Sequence, residues 1–256
     1  MQLSQPSKLD TRQNTENLFK PILGSYIIYS YPMSYTYEDK HLDSLYVDKI
    51  WHTYTTSDGV FTAGLDGNWD IIIFRNAENV HVTVNGIGKH AVDVPYVAGI
   101  DTIGIALKPG VFLQDFKGKD IVDSQHTLSK GNISYVRIGG HLLKIPDFES
   151  AEMFIDELIE KGILLINPAV TTLNSGDTRG FSERSLRRHT MNTTGLSPYF
   201  FHQIQRAQQA TRLLQQGMPI AQVAVESGYT DQAHMTKAVK ALMGMTPAQI
   251  ITRSKK

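Results

Sequence analysis

The feature that most constrains the fold of this chain is a pair of short helical patterns near its C-terminus, separated by a tight turn. The first pattern runs from Ile220 and ends at Gly228, a glycine suited to a turn position that requires a positive φ. The second pattern begins at Thr230. Its inward side carries large apolar residues at helical spacing: Met235, Val239 and Leu242. Two helices joined by so short a connection predict a helix-turn-helix.

Residues upstream of this helix-turn-helix predict another unit of the same kind, and a longer helix connects the two. In chain order, the upstream unit is the first unit and the C-terminal one is the second unit. Ser182 is a suitable N-cap for a basic helix that ends before Gly195. The connecting helix begins at Ser197-Pro198, because serine caps a helix and proline fits its first position. Its apolar stripe is expected at Phe200, Ile204, Ala207 and Leu214, with Gly217 at its C-terminal end. The C-terminal part is therefore predicted to be all α.

The first part of the chain has the pattern of strands. Candidate strands are rich in isoleucine, valine, tyrosine and threonine, and turn signals such as Ser57-Asp58-Gly59 and Asp66-Gly67-Asn68 separate them. They are Gly24–Tyr31, Leu45–Thr55, Asn68–Phe74, Val80–Val84 and Thr102–Leu107. Short strands punctuated in this way favour an antiparallel barrel or sandwich.

The pattern changes after Pro109-Gly110. Val111–Phe116 is expected to form a short helix over one end of the sheet, and Phe148–Lys161 is expected to form an amphipathic helix. The inward residues of the amphipathic helix would be Met153, Phe154, Leu158 and Ile159. The predicted fold is α+β, with a β-rich domain at residues 1–145, a helical connection at 146–166 and an all-α domain at 167–256.

The net charge is zero overall but unevenly distributed. Residues 1–150 carry 13 Lys and Arg against 17 Asp and Glu, whereas residues 178–256 carry 11 against 3. A basic all-α part suggests a module that binds a polyanion, and a solvated basic face is the alternative. The chain has no cysteine, which excludes disulfides, a thiolate nucleophile and cysteine-bound zinc. Because no long apolar run or signal-peptide pattern occurs, we expect a cytoplasmic protein without a membrane segment.

The two basic helices carry residue types that contact DNA. In the first, Leu186 must face the core, which leaves Glu183, Arg184, Arg187 and Arg188 on exposed or partly exposed faces. In the second, the face opposite the apolar side carries Gln232, Ala233, Thr236, Lys237 and Lys240. Arginine matches guanine and phosphate, glutamine matches adenine, and alanine or threonine can contact the thymine methyl group. Recognition helices in the major groove are therefore expected, with solvated helical hairpins as the alternative.

Several motifs together resemble the AraC/XylS-type transcriptional regulators. They are Gly195-Leu-Ser-Pro198, Arg206 with Ala210 and Leu213-Leu214, the block from Ile220 to Lys240, and Gly244-Met-Thr-Pro247. The resemblance covers roughly residues 165–250. It implies two helix-turn-helix units in one chain, whose recognition helices enter major-groove segments about 34 Å apart. It implies base-facing positions at Arg184, Arg187 and Arg188 in the first unit and at Gln232, Ala233, Thr236 and Lys237 in the second.

The chain departs from the family pattern at several positions. Thr190 and Val239 stand where an aromatic residue is usual, and both changes shrink the core beneath a recognition helix. Lys237 stands where arginine is common, and lysine lacks the bidentate fork. The stretch Ala169–Gly180 contains Asn174-Ser-Gly-Asp177, residues that are unfavourable in a helix interior. The second unit is therefore expected to contribute more to base recognition than the first.

The resemblance also implies that the N-terminal domain binds an effector or mediates dimerisation, often through a cupin-like barrel. Two segments, Gly67–Phe74 and Gly104–Gly110, are similar to a less characterised N-terminal domain of such regulators. Candidate effector-binding residues are Trp51, His52, Tyr54, Trp69 and His81. Aromatic residues on strands are more often part of the core, which is the alternative for each of them.

No motif predicts an enzyme, a cofactor or a metal site. His52, His81, His90, His126 and His141 are spread out, and none forms a close His-x-His or His-x-x-x-His pair with a carboxylate at ligand spacing. P-loop, dinucleotide-binding and nucleophile-elbow motifs are absent from the sequence. A methyl-accepting repair regulator would need the cysteine that the chain lacks.

The sequence therefore predicts a sequence-specific DNA-binding transcriptional regulator, activator or repressor, that responds to an effector. Its expected partners are double-stranded DNA, a small-molecule effector, RNA polymerase and a second copy of the chain, with no membrane and no cofactor. The alternative is a ligand-binding or protein-interaction module whose helix-turn-helix domain has lost specific DNA binding.

Overall fold

A computed structural model of the chain describes residues 26–28 and 35–254. A β-rich region at residues 35–145 precedes a helical region, which confirms the predicted fold class. Of the predicted strand Gly24–Tyr31, the structure describes Tyr26–Ile28, which forms β1. The rest of that prediction lies outside the described residues.

The strands after β1 are short. They are β2 (Tyr35–His41), β3 (Val47–Thr55), β4 (Gly59–Leu65), β5 (Asp70–Arg75), β6 (Val80–Asn85), β7 (Val92–Tyr96), β8 (Asp101–Leu107), β9 (Val111–Leu113), β10 (Gln125–Gly131), β11 (Tyr135–Ile138), β12 (His141–Lys144) and β13 (Leu164–Ile166). The other four predicted strands correspond to β3, β5, β6 and β8, with ends shifted by one or two residues. Strands β2, β4, β7 and β10 to β13 were not predicted from the sequence.

Six of these strands form one antiparallel sheet in the order β10-β6-β5-β8-β3-β2. Strands β1, β4 and β7 form a second sheet, and β11 pairs with β12 as a hairpin. At the centre of the large sheet, Ile71, Ile72 and Ile73 of β5 are at most 2% exposed. Because successive side chains of a strand point to opposite faces, both faces of this sheet are covered.

The helices are α1 (Gly118–Ile121), α2 (Ala151–Glu160), α3 (Pro168–Ser175), α4 (Glu183–Thr194), α5 (Pro198–Gln215), α6 (Ile220–Glu226), α7 (Gln232–Met243) and α8 (Pro247–Ser254). The predicted caps are confirmed: the side chain of Ser182 accepts from the Ser185 nitrogen, and that of Ser197 accepts from the Phe200 nitrogen. In the described part of the chain, no helix has the length and apolarity needed to cross a membrane.

The short helix predicted for Val111–Phe116 is wrong. Its first residues form β9, which pairs antiparallel with β13, so that Val111 lies opposite Ile166 and Leu113 opposite Leu164. The partner strand lies far along the sequence, and a local pattern carries no signal of such a pairing. The short helix α1 follows instead, between β9 and β10.

The amphipathic helix predicted for Phe148–Lys161 is confirmed as α2, with a later start. Phe154 and Leu158 are buried, as predicted. Met153 is 69% exposed, however, and Ile155 is buried in its place. The helical period was therefore predicted correctly, while one edge of the buried face was wrong.

The connecting helix α5 shows a similar correction. Ile204 and Leu214 are buried as predicted, but the buried aromatic residue is Phe201, at 2% exposure, and Phe200 is only partly buried. A methyl group placed on Gly67 would lie 3.6 Å from side-chain atoms of both Phe201 and Ile204. This side of α5 therefore packs against the loop between β4 and β5.

A single hydrophobic core joins the β-rich and helical regions. It includes Ile73 and Leu107 of the large sheet, Leu158 of α2, and Val239 of α7. The helical region is thus packed on the β-rich region, and its helices have a fixed position relative to the sheets.

We expect Phe201→Ala to lower the free energy of unfolding by about 3–5 kcal/mol, because the ring is buried where α5 meets Gly67. The matched control Phe200→Ala removes the same atoms from a partly exposed position and should cost clearly less. Urea denaturation of both full-length variants, followed by circular dichroism, measures the two losses. Equal losses would contradict the assignment of Phe201 to the buried side.

Candidate nucleic-acid interface

The first candidate recognition helix is α4. Its N-cap Ser182 accepts a hydrogen bond from the Ser185 nitrogen at 3.2 Å, and Leu186 is 8% exposed and faces the core. The predicted DNA-contacting residues of this helix are all exposed: Glu183, Arg184, Arg187 and Arg188. They lie in the first half of the helix, where unpaired backbone N–H groups and the helix dipole also favour a phosphate.

The three arginines of α4 are available to a ligand. Among the described residues, none of Arg184, Arg187 and Arg188 forms an ion pair with a carboxylate. A guanidinium that is exposed and uncompensated presents its parallel N–H donors to solvent, in the geometry that matches guanine or phosphate.

The buried side of α4 is lined by threonines. The hydroxyl of Thr190, which is fully buried, donates to the Leu186 carbonyl at 2.7 Å, and that of Thr194 donates to the Thr190 carbonyl at 2.7 Å. Thr194 also accepts from the Leu196 nitrogen at 3.1 Å. Because these hydroxyls bond within the helix or next to it, the small polar residue at 190 is buried without an unpaired donor.

Helix α3 completes the first unit. It ends at Gly176, whose φ of 77° is left-handed, within the stretch that the sequence marks as unfavourable for a helix. The side chain of Asn167 accepts from the Ala169 nitrogen and donates to the Thr193 hydroxyl at 2.7 Å. One side chain therefore caps α3 and ties its beginning to the end of α4.

The turn of the second unit is held by Arg206 from α5. The guanidinium lies 4.3 Å above the ring of Tyr229, and it donates to the carbonyls of Ser227, at 3.2 Å, and Gly228. Gly228 has a φ of 67°, as the sequence predicts for this position. Burial raises the pKa of Tyr229, although the charge of Arg206 opposes this. Arg206 thus satisfies the carbonyls of the turn and covers its aromatic residue.

Helix α7 is the second candidate recognition helix. Its N-cap Asp231 accepts from the His234 nitrogen at 2.8 Å, so the helix begins at Gln232, two residues after the predicted start. Met235, Val239 and Leu242 are buried, as predicted. The predicted DNA-contacting residues Gln232, Ala233, Lys237 and Lys240 are exposed, and Thr236 is partly exposed. The structure therefore brings each predicted DNA-contacting set together on one face of its own helix.

A cleft of about 900 Å³ lies between the β-rich region and the helices α3 and α5. Its walls include charged residues from both regions: Asp48, Lys49, Asp66, Arg206 and Arg212. Gln208 of α5 closes one side, because its side-chain amide donates to the carbonyls of Leu65, at 3.2 Å, and Asp66, at 2.8 Å. Clefts of this size at domain boundaries are common positions of small-molecule sites.

Asp66 has an unusual ionisation in this cleft. Burial raises the pKa of its carboxyl group to about 7, against the opposing effects of the Asn68 backbone hydrogen bond and the Lys49 charge, while Asp48 raises it further. The Asn68 nitrogen donates to the Asp66 side chain at 2.9 Å. A carboxyl group that loses its proton near neutral pH therefore lies where the two regions meet.

Of the candidate effector-binding residues, the two tryptophans pack in the sheet region. Trp69 is 2% exposed and contacts the rings of Phe112 and Phe116 edge-on, with centroids 6.4 and 6.5 Å apart. Trp51 lies directly over Gly104 of β8, where a Cβ would overlap the indole ring. Trp69 is therefore a core residue, whereas Trp51 packs on β8 and is partly exposed.

His52 and Tyr54 lie on the face of β3 opposite to Trp51, because side chains alternate along a strand. His52 contacts Glu38 at 2.7 Å and Asp101 at 2.8 Å. Burial lowers the pKa of His52, but these two carboxylates outweigh it, so the pKa lies above its usual value. Tyr54 is 45% exposed.

His81 lies on β6, which is separated from β3 by β5 and β8. At the usual spacing of neighbouring strands, this places it about 14 Å from His52 along the sheet. Burial, together with the charge of Lys130, lowers the pKa of His81. The five candidate effector-binding residues therefore do not converge on one point, and their role stays a prediction. Nowhere in residues 35–254 do three or more histidine or carboxylate side chains cluster as a metal site.

The sequence alone indicates no role for Arg206 beyond its place in a motif, and none for Gln208 or Asp66. The partners of Gln208 are backbone carbonyls 142 and 143 residues away in the sequence, which no local pattern reveals. Asp66 belongs to a turn signal, so the sequence predicts a turn at this position. The burial of Asp66 depends on the packing of α5, which the turn signal does not reveal.

Comparison with known proteins identifies the C-terminal region. Residues 177–253 match the family model described as a helix-turn-helix domain. No curated protein matches the sequence significantly. Structural comparison finds ToxT from Vibrio cholerae, with 10% identity, a TM-score of 0.39, and coverage of 86% of this chain and 98% of that chain. It also finds unsaturated fatty acid bound wild-type ToxT from Vibrio cholerae strain SCE256, with 10% identity, a TM-score of 0.40, and coverage of 88% and 97%.

The stability of the protein should depend on pH through Asp66. Its pKa of about 7 in the folded chain lies above the ordinary value of 3.8 for an aspartate, so the folded state binds this proton more tightly than the unfolded state. The contribution of Asp66 is therefore fully present below about pH 4 and is lost as pH rises through about 7.

In urea denaturation at pH 5, 6, 7 and 8, Asp66→Asn should gain stability relative to the wild type as pH rises. The other cleft residues are the same in both proteins, so their contributions cancel in the difference. Asp43→Asn, on an exposed carboxylate, is the control and should show no such trend. A constant difference between Asp66→Asn and the wild type would contradict the raised pKa.

Proposed function

We propose that this chain, whose residues 177–253 form an AraC-type helix-turn-helix domain, is a sequence-specific DNA-binding transcriptional regulator. The observation that carries the proposal is that α4 and α7 are two capped helices, each with one side packed inside the protein and an exposed basic or polar side. Such helices can enter the major groove, and two of them in one chain can contact two half-sites.

Affinity and specificity would come from different contacts. Neutralisation of phosphates by the basic region supplies affinity that does not depend on sequence and that falls with salt. In α4, Arg184 and Arg187 are suited to guanine. In α7, Gln232 is suited to adenine and Thr236 to the thymine methyl group. The operator is therefore expected to contain two half-sites about one helical turn apart.

The alternative, a module that has lost specific DNA binding, was motivated by the small residues at 190 and 239. Thr190 and Val239 are fully buried, and the Thr190 hydroxyl has an acceptor. Both recognition helices are thus supported by a packed side, which favours retained DNA binding.

The family resemblance also leads us to propose RNA polymerase and a second copy of the chain as partners, and the cytoplasm as its location.

We expect Arg187→Ala to weaken binding to the selected operator by about 1–3 kcal/mol and to relax selectivity at one base pair. Arg137→Ala removes the same charge from β11 in the β-rich region and is the matched control, with little effect expected. The operator is first obtained by selecting the random duplexes that the wild-type protein binds. Fluorescence anisotropy then measures the affinity of each variant for this operator and for random DNA. Equal weakening on both would mean that Arg187 contacts phosphate instead of a base.

We further propose that the regulator responds to a small molecule bound in the cleft between the β-rich region and α3 and α5. The volume of about 900 Å³ supports this proposal. So do the residues that line the cleft, because Arg206 also holds the turn of the second unit. A ligand in contact with Arg206 would therefore act directly on the position of α7.

A panel of sugars, amino acids, amines and carboxylic acids should contain compounds that raise the melting temperature of the full chain. A ligand at 100 times its Kd stabilises the folded state by about 2.7 kcal/mol. Ser175→Trp fills the cleft from an exposed position and should abolish the shift, whereas Ser57→Trp, outside the cleft, should preserve it. A shift that persists in Ser175→Trp would place the bound compound elsewhere.

A further inference from the structure

The end of α4 packs on the β-rich region through two glycines. Gly118, at the start of α1, lies so close to the end of α4 that a Cβ on it would overlap the backbone at Thr194 and Gly195. A Cβ on Gly195 would in turn overlap the carbonyl of Gly118 and the side chain of Val122. The backbones of the two elements are therefore in close contact, and the side chain of Val122 packs beside Gly195.

The end of α7 packs on the same region at a second place. The Ala91 nitrogen, just before β7, donates to the Ala241 carbonyl of α7 at 3.0 Å. Gly244, the C-cap of α7, lies against Ala91 and against Thr62 of β4, where a Cβ would overlap the threonine methyl group. This contact again joins the backbone of the recognition helix to the β-rich region.

A third contact fixes the helix between them. Gln208, near the middle of α5, donates to the carbonyls of Leu65 and Asp66, at 3.2 and 2.8 Å. The β-rich region thus contacts α4, α5 and α7, and it does so away from the exposed residues at the beginnings of the two recognition helices. The exposed residues and the three contacts therefore lie on different parts of these helices.

We infer that Gly118, Ala91 and Gln208 are positioning residues that determine which half-site separation the protein binds. This inference rests on the proposed function. A recognition helix contacts bases with its first turns, so a shift at its fixed end moves those turns along the groove. One base pair corresponds to about 3.4 Å along the DNA axis, so small displacements of α4 relative to α7 change the preferred separation.

The first test measures binding to duplexes in which the selected half-sites are separated by one base pair more or fewer than in the operator. We expect the wild type to lose about tenfold or more at each changed separation, because one half-site is then misaligned. Gln208→Ala and Gly118→Ala should bind the separations more equally, with the differences reduced to about threefold. Gln215→Ala, at the exposed end of α5, is the matched control for Gln208→Ala and should keep the wild-type profile.

A second test uses the wild type alone and therefore does not depend on the folding of a variant. We expect the Ala91 amide to be protected from hydrogen exchange by its bond to the Ala241 carbonyl. If the helices stay packed on the β-rich region while they bind the operator, this protection is retained when the selected duplex is added. Loss of protection on binding would overturn the inference, because the contact would then have to break for DNA to bind.

The outcomes separate this inference from the proposed function. If the wild type selects no sequence from random duplexes, the result contradicts the proposed function itself. A wild type that prefers one separation, together with Gln208→Ala and Gly118→Ala variants that keep the same preference, would overturn only the role of the positioning residues.

Discussion

Burial of α5 is the interaction on which the rest of the helical region depends. This helix contacts α3, α4, α6, α7 and α8, so each of them packs directly against it. Its small buried residues Ala207 and Ala210 let the neighbouring helices approach closely, while Phe201 at its start fixes it against the loop at Gly67. Arg206 of the same helix donates a hydrogen bond to the turn before α7, so the position of α5 also fixes that turn. One helix therefore contacts both candidate recognition helices and joins them to the β-rich region.

The elements that the sequence predicts well are those that local chemistry determines. A serine with a free hydroxyl before a helical pattern caps the helix whatever surrounds it, which is why Ser182 and Ser197 could be assigned from the sequence. Gly228 is similar, because a turn position that needs a positive φ favours glycine over other residues. Once these ends are fixed, the helical period determines which side of α4 and α7 is buried. The exposed candidate residues of the interface follow from that period without further information.

The elements that the sequence does not predict depend on distant partners. Val111–Leu113 forms a strand because Leu164–Ile166 lies beside it, and the cleft exists because α5 packs across the β4–β5 loop. Phe200 and Phe201 are adjacent on a helix and both aromatic, so the sequence cannot decide which of them is buried. The ionisation of Asp66 has the same origin, since its desolvation arises only when the two regions meet. The positions of the candidate effector-binding residues likewise depend on strand order.

In each recognition helix, the exposed beginning and the packed end are formed by different residues. Arg184 and Arg187 lie in the exposed part of α4 and Gly195 at its packed end, just as Gln232 and Gly244 mark the two ends of α7. A duplicated copy of this chain can therefore acquire a new DNA target through substitutions at the helix beginnings, while the scaffold that orients the helices is preserved. Glycines at the packed ends are under the opposite constraint, because a side chain would collide with the Gly118 carbonyl at position 195 and with the Thr62 side chain at position 244. Within each helix, the positions that can change the DNA target are thus separate from the positions that preserve the fold.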